Sequence, residues 1–304
     1  MKFLKTSAIR SANVEISTNC NAACPMCTRN YNGYGVRDNF PLRDMPLSEF
    51  KILLDPVLPH PKFMLSLCGT YGDPAANKNC TEILEYVHTV YPHVEIIMSS
   101  NASMKTPAWW AKLAEFTNLK IEFALDGLAD THSIYRQNTN WHKIIENATA
   151  YIDAGGFAIW QFIKFDHNKH QLEQCKQMSK DIGFAEFKHF DDNRANGLAF
   201  TPDGDPFVLG TPSEEITSAM QFVEQEKYLQ RQYELNLQEE YVRDLSVDSI
   251  KCYSQEGNIY IAVNGDVWPC CWLGGTFPMT SDSDNGWQLK NLPLVINGLE
   301  NSLE

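Results

Sequence analysis

The chain has 304 residues, 43% of them hydrophobic, with 25 Lys plus Arg against 38 Asp plus Glu, a formal charge of −13. This length and apolar fraction suffice for a folded core of one large or two smaller domains, and the acidic balance argues against nucleic acid or an anionic membrane as a partner. No apolar run approaches membrane-spanning or signal-peptide length, so the expectation is a cytoplasmic protein, where nine cysteines, an odd count, make poor disulfide material.

In chain order, short apolar runs alternate with stretches of helical spacing. The pattern predicts strands over 14–17, 63–67, 94–99, 120–125, 158–165 and 186–190, and helices over 80–90, 107–116, 141–154 and 170–182. Pro107 sits at a favoured first helical position, while Gly155-Gly156 and Gly183 supply left-handed helix ends. Six β/α units are too few for an eight-stranded barrel, which leaves a partial, open-sided barrel or a doubly wound sheet. Beyond the sixth strand, 194–212 is rich in Gly and Pro and reads as a connecting loop, and 213–244 reads as a polar, acidic helix. Then 259–263 leads into Asn264-Gly265, the strongest short hairpin signal, because both residues tolerate positive φ.

The chemistry lies in the cysteines. Cys20, Cys24 and Cys27 follow the first strand in a Cys-x-x-x-Cys-x-x-Cys spacing, on the face where β/α sheets build their sites. Three such thiolates can bind three irons of a [4Fe–4S] cube with one iron left open. The alternatives are a zinc site completed by a distant residue, or three incidental buried thiols. Cys252, Cys270 and Cys271 bracket the predicted hairpin, and Cys68, Cys80 and Cys175 are dispersed. Cys80 and Cys175 fall in predicted helices and read as packing residues, and the histidines show no ligand spacing.

With this cysteine spacing after the first strand, the sequence over residues 13–190 resembles the radical S-adenosylmethionine (SAM) superfamily. The resemblance implies a partial (β/α)6 TIM-like barrel with a small C-terminal extension containing a β-hairpin. It also implies a catalytic [4Fe–4S] cluster on Cys20, Cys24 and Cys27 whose open iron takes SAM; reductive cleavage then gives methionine and a 5′-deoxyadenosyl radical that abstracts hydrogen from substrate. Gly72-Asp73-Pro74 is similar to the family's Gly-Gly-Glu-Pro segment at the SAM ammonium, with Asp73 in place of Glu and Tyr71 in place of the first Gly; alone it would read as a turn. Ser99-Ser100-Asn101 resembles the Thr-Asn-Gly segment, and Ala124-Leu125-Asp126-Gly127 the Ser-x-Asp-Gly segment, with the hydroxyl missing at Ala124. The cofactor-binding set implied is Gly72, Asp73, Ser99, Ser100, Asn101 and Asp126, and Tyr135-Arg136 continues the resemblance, with a surface arginine as the plain reading of Arg136. Cys68, a core thiol on its face, is in this family a candidate hydrogen donor.

Cys252, Gly265 and Cys270 resemble the opening of a SPASM or twitch segment holding an auxiliary [4Fe–4S] cluster. Cys271, Cys175 or the substrate would complete its shell, or further ligands lie beyond Glu304. The organisation implied is a barrel core over 1–192, a connecting loop and polar helix over 193–250, and the auxiliary-cluster segment over 251–304. The substrate implied is first a peptide, then a small molecule undergoing dehydrogenation or epimerisation, with an electron donor such as flavodoxin or ferredoxin. The competing reading is a non-catalytic iron–sulfur protein on the same fold, suggested by Tyr71, Asp73 and Ala124.

Overall fold

A computed structural model of the chain describes residues 6–191 apart from 28, 31, 32, 34, 38 and 39, then 197–201, 203–209, 258–268 and 296–297. Six strands, β1 (Ser11–Val14), β2 (Met64–Leu67), β3 (Glu95–Ser100), β4 (Leu119–Ala124), β5 (Phe157–Lys164) and β6 (Glu186–Asp191), pair in parallel and in chain order. A doubly wound sheet reverses its strand order at a switch point. This one does not reverse across the six strands, and it does not close, so it is the wall of a partial barrel.

The helices are α1 (Leu47–Leu54), α2 (Cys80–Val90), α3 (Pro107–Leu113), α4 (His132–Tyr135), α5 (Trp141–Asp153) and α6 (Leu172–Ile182). Helical periodicity decides what they bury: Cys80, Ile83, Leu84 and Val87 on α2, and Ile144, Asn147, Ala148 and Tyr151 on α5. These meet the alternate strand residues Ile96, Met98, Ile121, Phe123, Trp160 and Phe162 in the main core. Thr106 and Asn140 cap the N-termini of α3 and α5, and Gly183 ends α6 at a φ of 101°. Cys80 and Cys175 are buried core thiols.

The opposite face of the same strands carries a polar cluster flanked by Ile97, Ile159 and Ile163. Ser99 pairs with Glu122 and Gln161 with Lys188 in the register. Glu122 accepts hydrogen bonds from the Ser99 hydroxyl at 2.6 Å and from Lys188 Nζ at 3.1 Å. A closed barrel fills this face with branched apolar residues; here it is a partly open, hydrogen-bonding surface.

Three expectations are corrected. The first strand was expected over 14–17 but occupies Ser11–Val14, because Ile16 and Thr18 instead exchange backbone hydrogen bonds with Met45 and Arg43. Within the expected loop, β7 (Gly197–Phe200) and β8 (Pro206–Leu209) form an antiparallel hairpin around Gly204, whose φ is 93°. At Asn264-Gly265 the hairpin of β9 (Asn258–Ile261) and β10 (Asp266–Trp268) exists, but only Gly265 has positive φ, 89°. Its N–H bonds to the Ala262 carbonyl, and the Ala262 N–H to the Asp266 carbonyl, so the loop is a turn closed by a glycine bulge.

The C-terminal strands join the barrel sheet. β9 runs parallel to β1, and β10 and β11 (Ile296–Asn297) follow antiparallel. The expected polar helix over 213–244 lies outside the described residues.

Candidate functional site

Cys20, Cys24 and Cys27 occupy the loop that leaves the carboxyl end of β1. Cys24 is buried, and Cys20 and Cys27 are half-buried. They pack with Ala22, Met26, Tyr135, Phe165, Ala199 and Leu209 in a small apolar cluster apart from the main core. Cys20 Sγ takes the Ala22 N–H at 3.3 Å and Asn101 Nδ2 at 3.5 Å, and the positive charges of Arg136 and Arg29 favour the thiolate forms of Cys24 and Cys27. Burial pushes all three thiols up, Cys24 to about 11 despite Arg136. They would carry protons at neutral pH until a metal displaced them.

This donor set fits an iron–sulfur cube. Among the described residues no three His, Cys, Asp or Glu side chains converge on one ion, as a tetrahedral zinc would require. A cube spreads its three thiolates over three irons and is favoured by N–H donors to sulfur and by nearby cations.

Beside Cys20 lies the loop after β2. A Cβ on Gly72 would come within 2.0 Å of the Ser17 carbonyl oxygen, so only glycine permits this approach. Asp73 is buried; its carboxylate accepts from Ser100 Oγ at 2.8 and 3.0 Å, from the Asn101 N–H at 2.8 Å and from the Ala75 N–H at 2.9 Å. Both oxygens are therefore engaged in bracing the end of β3. Asn101 extends the brace, giving Nδ2 to Cys20 and to Asn21 Oδ1. Ser99 stands apart, facing Glu122 on the barrel's inner face, and Cys68 Sγ lies 2.9 Å from Asn13 Oδ1.

Asp126 follows β4 and is fully buried. Its Oδ1 takes the Ile163 N–H at 2.6 Å and its Oδ2 takes Arg136 Nε at 2.5 Å. Arg136 thus links Asp126 to Cys24, in place of the surface position that plain reading gives it. His132, also buried, accepts the Asp126 N–H at Nδ1 and lies 3.0 Å from the Thr139 hydroxyl at Nε2. Burial, then Arg136, lowers its pKa to about 3, so it is a neutral brace for this turn.

Glu15 carries no site signal in the motif, yet it is fully buried directly after β1. Oε1 accepts the N–H groups of Tyr71 and Gly72 at 2.6 and 2.9 Å, and Oε2 accepts the hydroxyl of Tyr260 on β9 at 2.6 Å. Only the interruption of an apolar strand by a carboxylate could have drawn attention to it. Burial raises its pKa from 4.5 to about 7, partly offset by the Tyr260 hydroxyl and the loop N–H groups. The folded state therefore holds this proton more tightly than the unfolded chain. Stability from this group is full below pH 4.5 and falls as pH rises through 7, by roughly 3 kcal/mol. Glu15→Gln should remove that slope: urea unfolding of the two proteins from about pH 5 to about pH 8 should show wild type losing roughly 3 kcal/mol relative to the variant. A difference constant with pH would contradict it.

Cys252, Cys270 and Cys271 lie outside the described residues, although the hairpin between the first two is described. Among the described residues no helix is long and apolar enough to cross a membrane.

A family model described as the Radical SAM superfamily matches residues 14–165, half of the chain. Among solved structures the chain is similar to SuiB of Streptococcus suis bound to S-adenosylmethionine, with a TM-score of 0.65 and 12% identity over 97% of this chain. SuiB bound to its precursor peptide SuiA aligns with a TM-score of 0.59 and 12% identity, covering 92% of this chain and 65% of SuiB. Native anSMEcpe with bound AdoMet aligns with a TM-score of 0.56 and 13% identity, covering 86% of this chain and 74% of that one. At such identities these structures share the fold. The chain spans 65% of the length of SuiB in its SAM-bound form. No curated protein matches it.

Proposed function

The chain belongs to the radical SAM superfamily, and from that premise we propose that it cleaves SAM reductively at a [4Fe–4S] cluster held by Cys20, Cys24 and Cys27 and abstracts hydrogen from a peptide substrate. The observation that carries this reading is the thiol loop itself, with Cys20 given two donors and Cys24 and Cys27 set near arginines, against the loop of Gly72 and Asp73 braced by Ser100 and Asn101. When bound, the cluster would supply an electron to the sulfonium of SAM, and the adenosyl radical so released would take a hydrogen atom from the substrate.

The chain's own residues perform the holding. Arg136 and Arg29 offset the negative charge of the thiolates, Met26 and Phe165 keep water from them, and Gly72 gives the cofactor a close backbone approach. Asp73, Ser100, Asn101 and Asp126 shape the SAM pocket, with Asp73 acting through Ser100 and Asn101. Ser99 belongs to the inner, substrate-facing wall with Glu122, Gln161 and Lys188. Cys68, near that wall, is the proposed hydrogen donor.

The peptide class is supported by the polar cluster on the inner face and by the fold shared with SuiB, which is bound to a peptide in one structure. We assign residues 1–192 to the catalytic barrel, 193–250 to a connection, and 251–304 to a segment in which Cys252, Cys270 and Cys271 hold an auxiliary [4Fe–4S] cluster. A cytoplasmic setting with a flavodoxin or ferredoxin as electron donor follows from that chemistry.

One observation favours a second reading, a non-catalytic iron–sulfur protein: the Asp73 carboxylate is already engaged by four protein contacts. Anaerobic reconstitution followed by a SAM cleavage assay separates the two. The expected result is 5′-deoxyadenosine formed in step with reductant. A reducible cluster that yields none would overturn the catalytic reading.

A further inference from the structure

The carboxylate of Glu15 joins two parts of the chain that the cysteine motif leaves unrelated. We propose that Tyr260, on the C-terminal strand β9, is a positioning residue for the SAM site: through Glu15 it fixes the Tyr71-Gly72 backbone that the cofactor approaches. The proposal rests on the SAM reading given above and deepens it, because it makes the C-terminal extension part of the SAM pocket whatever the extension's cysteines bind.

The geometry runs in one continuous path. β9 pairs with β1 over four residues, and the Glu15 N–H continues the ladder to the Ile261 carbonyl at 2.9 Å. Backbone and side chain of Glu15 are therefore both held by β9, the side chain by the Tyr260 hydroxyl, 245 positions away in sequence. Tyr260 and Glu15 are each fully buried, so no water competes for these bonds. On its other oxygen Glu15 gathers the N–H groups of Tyr71 and Gly72.

Those N–H groups belong to a loop without secondary structure of its own. Its next N–H, from Asp73, goes to the Asn19 carbonyl at 2.9 Å, one residue before Cys20. From Asp73 the path continues through Ser100 and Asn101 to the Cys20 sulfur. The loop's close approach to Ser17 leaves it little slack, since Gly72 already sits where a methyl group would collide. A loop so placed has its shape set by the acceptor that holds it. That acceptor is oriented by a hydroxyl from the far end of the chain, and a buried carboxylate robbed of one donor will rotate or recruit another.

Tyr260→Phe tests this in the reconstituted holoprotein, because it keeps the ring in the core and removes only the hydroxyl. Hydrogen exchange at the Tyr71 and Gly72 amides should speed up about tenfold while amides of β3 and β4 are unchanged. The KM for SAM should rise about tenfold with kcat at saturating SAM within about twofold. A residue with only a structural role would reduce the folded fraction, lowering the amplitude without moving KM. Glu15→Gln serves as the second variant: its amide oxygen can still accept both N–H groups and its NH2 can donate to the Tyr260 oxygen, so exchange at 71 and 72 should stay near wild type.

Unchanged exchange and unchanged KM in Tyr260→Phe overturn the proposal. The exchange measurement needs no SAM. A wild type that neither binds nor cleaves SAM sinks the functional reading, and in that case accelerated exchange still upholds the clamp while unchanged exchange removes it.

Discussion

Replacing Cys20, Cys24 and Cys27 together with alanine is expected to abolish 5′-deoxyadenosine formation while leaving the barrel folded and about four irons per chain in place. The barrel survives because the main core is built from strand and helix residues such as Phe123, Trp110 and Trp160, with none of the three cysteines among them. The thiols sit in the separate small cluster with Ala22, Tyr135 and Phe165, where trimming three side chains costs packing over a limited area. Activity disappears because a cube cannot be held without its thiolates, and among the described residues no group of three His, Cys, Asp or Glu is placed to replace them. The residual iron reports the other cysteines: clusters bind as complete cubes, so wild type should carry about eight irons and the variant about four. Zero residual iron would remove the auxiliary cluster on Cys252, Cys270 and Cys271. Undiminished iron would remove the assignment of the catalytic one.

The parts of this molecule legible in sequence are those set by local periodicity. The helix over 80–90 matches its expected bounds because apolar residues recur there at helical spacing; Ile83, Leu84 and Val87 are buried as that spacing requires, while Val90 at the end is exposed. All six barrel strands lie within a few residues of their expected positions, since short runs bounded by turn residues such as Pro61, Pro92, Asn118, Gly156 and Gly183 leave few alternatives. The hairpin of β7 and β8 was not legible, because its Pro, Asp and Gly content is that of a loop and its pairing is decided by the fold around it. The Asn-Gly turn was found but its type was not; the choice depends on one φ angle.

In the site, the cysteine loop was legible because its chemistry is crowded into eight residues of chain. What escaped were the long-range partners. Arg136 looked like a surface residue until the turn after β4 placed Asp126 beside it, and no local pattern relates Glu15 to Tyr260. Ser99 and Ser100 form one segment in sequence, yet adjacent strand residues face opposite sides. One braces Asp73 and the other reaches the inner face, as period two requires.

Arg136→Met is expected to destabilise the protein by about 3–5 kcal/mol, the range for stranding a buried charge. Asp126 has no exposed surface, and the Arg136 side chain is 15% exposed, so neither charge is dissolved in water. Burial by itself would lower the pKa of Arg136, but Asp126, Cys24 and Tyr135 outweigh it and keep the guanidinium charged. With arginine gone, Asp126 retains the Ile163 N–H but loses the guanidinium paired with its Oδ2. The Cys24 thiolate loses the nearby positive charge that favours it as well, so cluster retention should fall along with stability. Arg136→Lys keeps a positive charge without the fork that serves two acceptors at once, and should recover part of the loss. The double variant Asp126→Asn with Arg136→Met should be more stable than Arg136→Met alone, because the uncompensated charge is removed with its partner. Urea unfolding of these four proteins and of Asp126→Asn, which completes the cycle, measures all of these. An Arg136→Met variant within about 1 kcal/mol of wild type, or additive effects in the cycle, would mean that the pair is a solvated contact after all, and that the turn after β4 is held by His132 and the backbone instead.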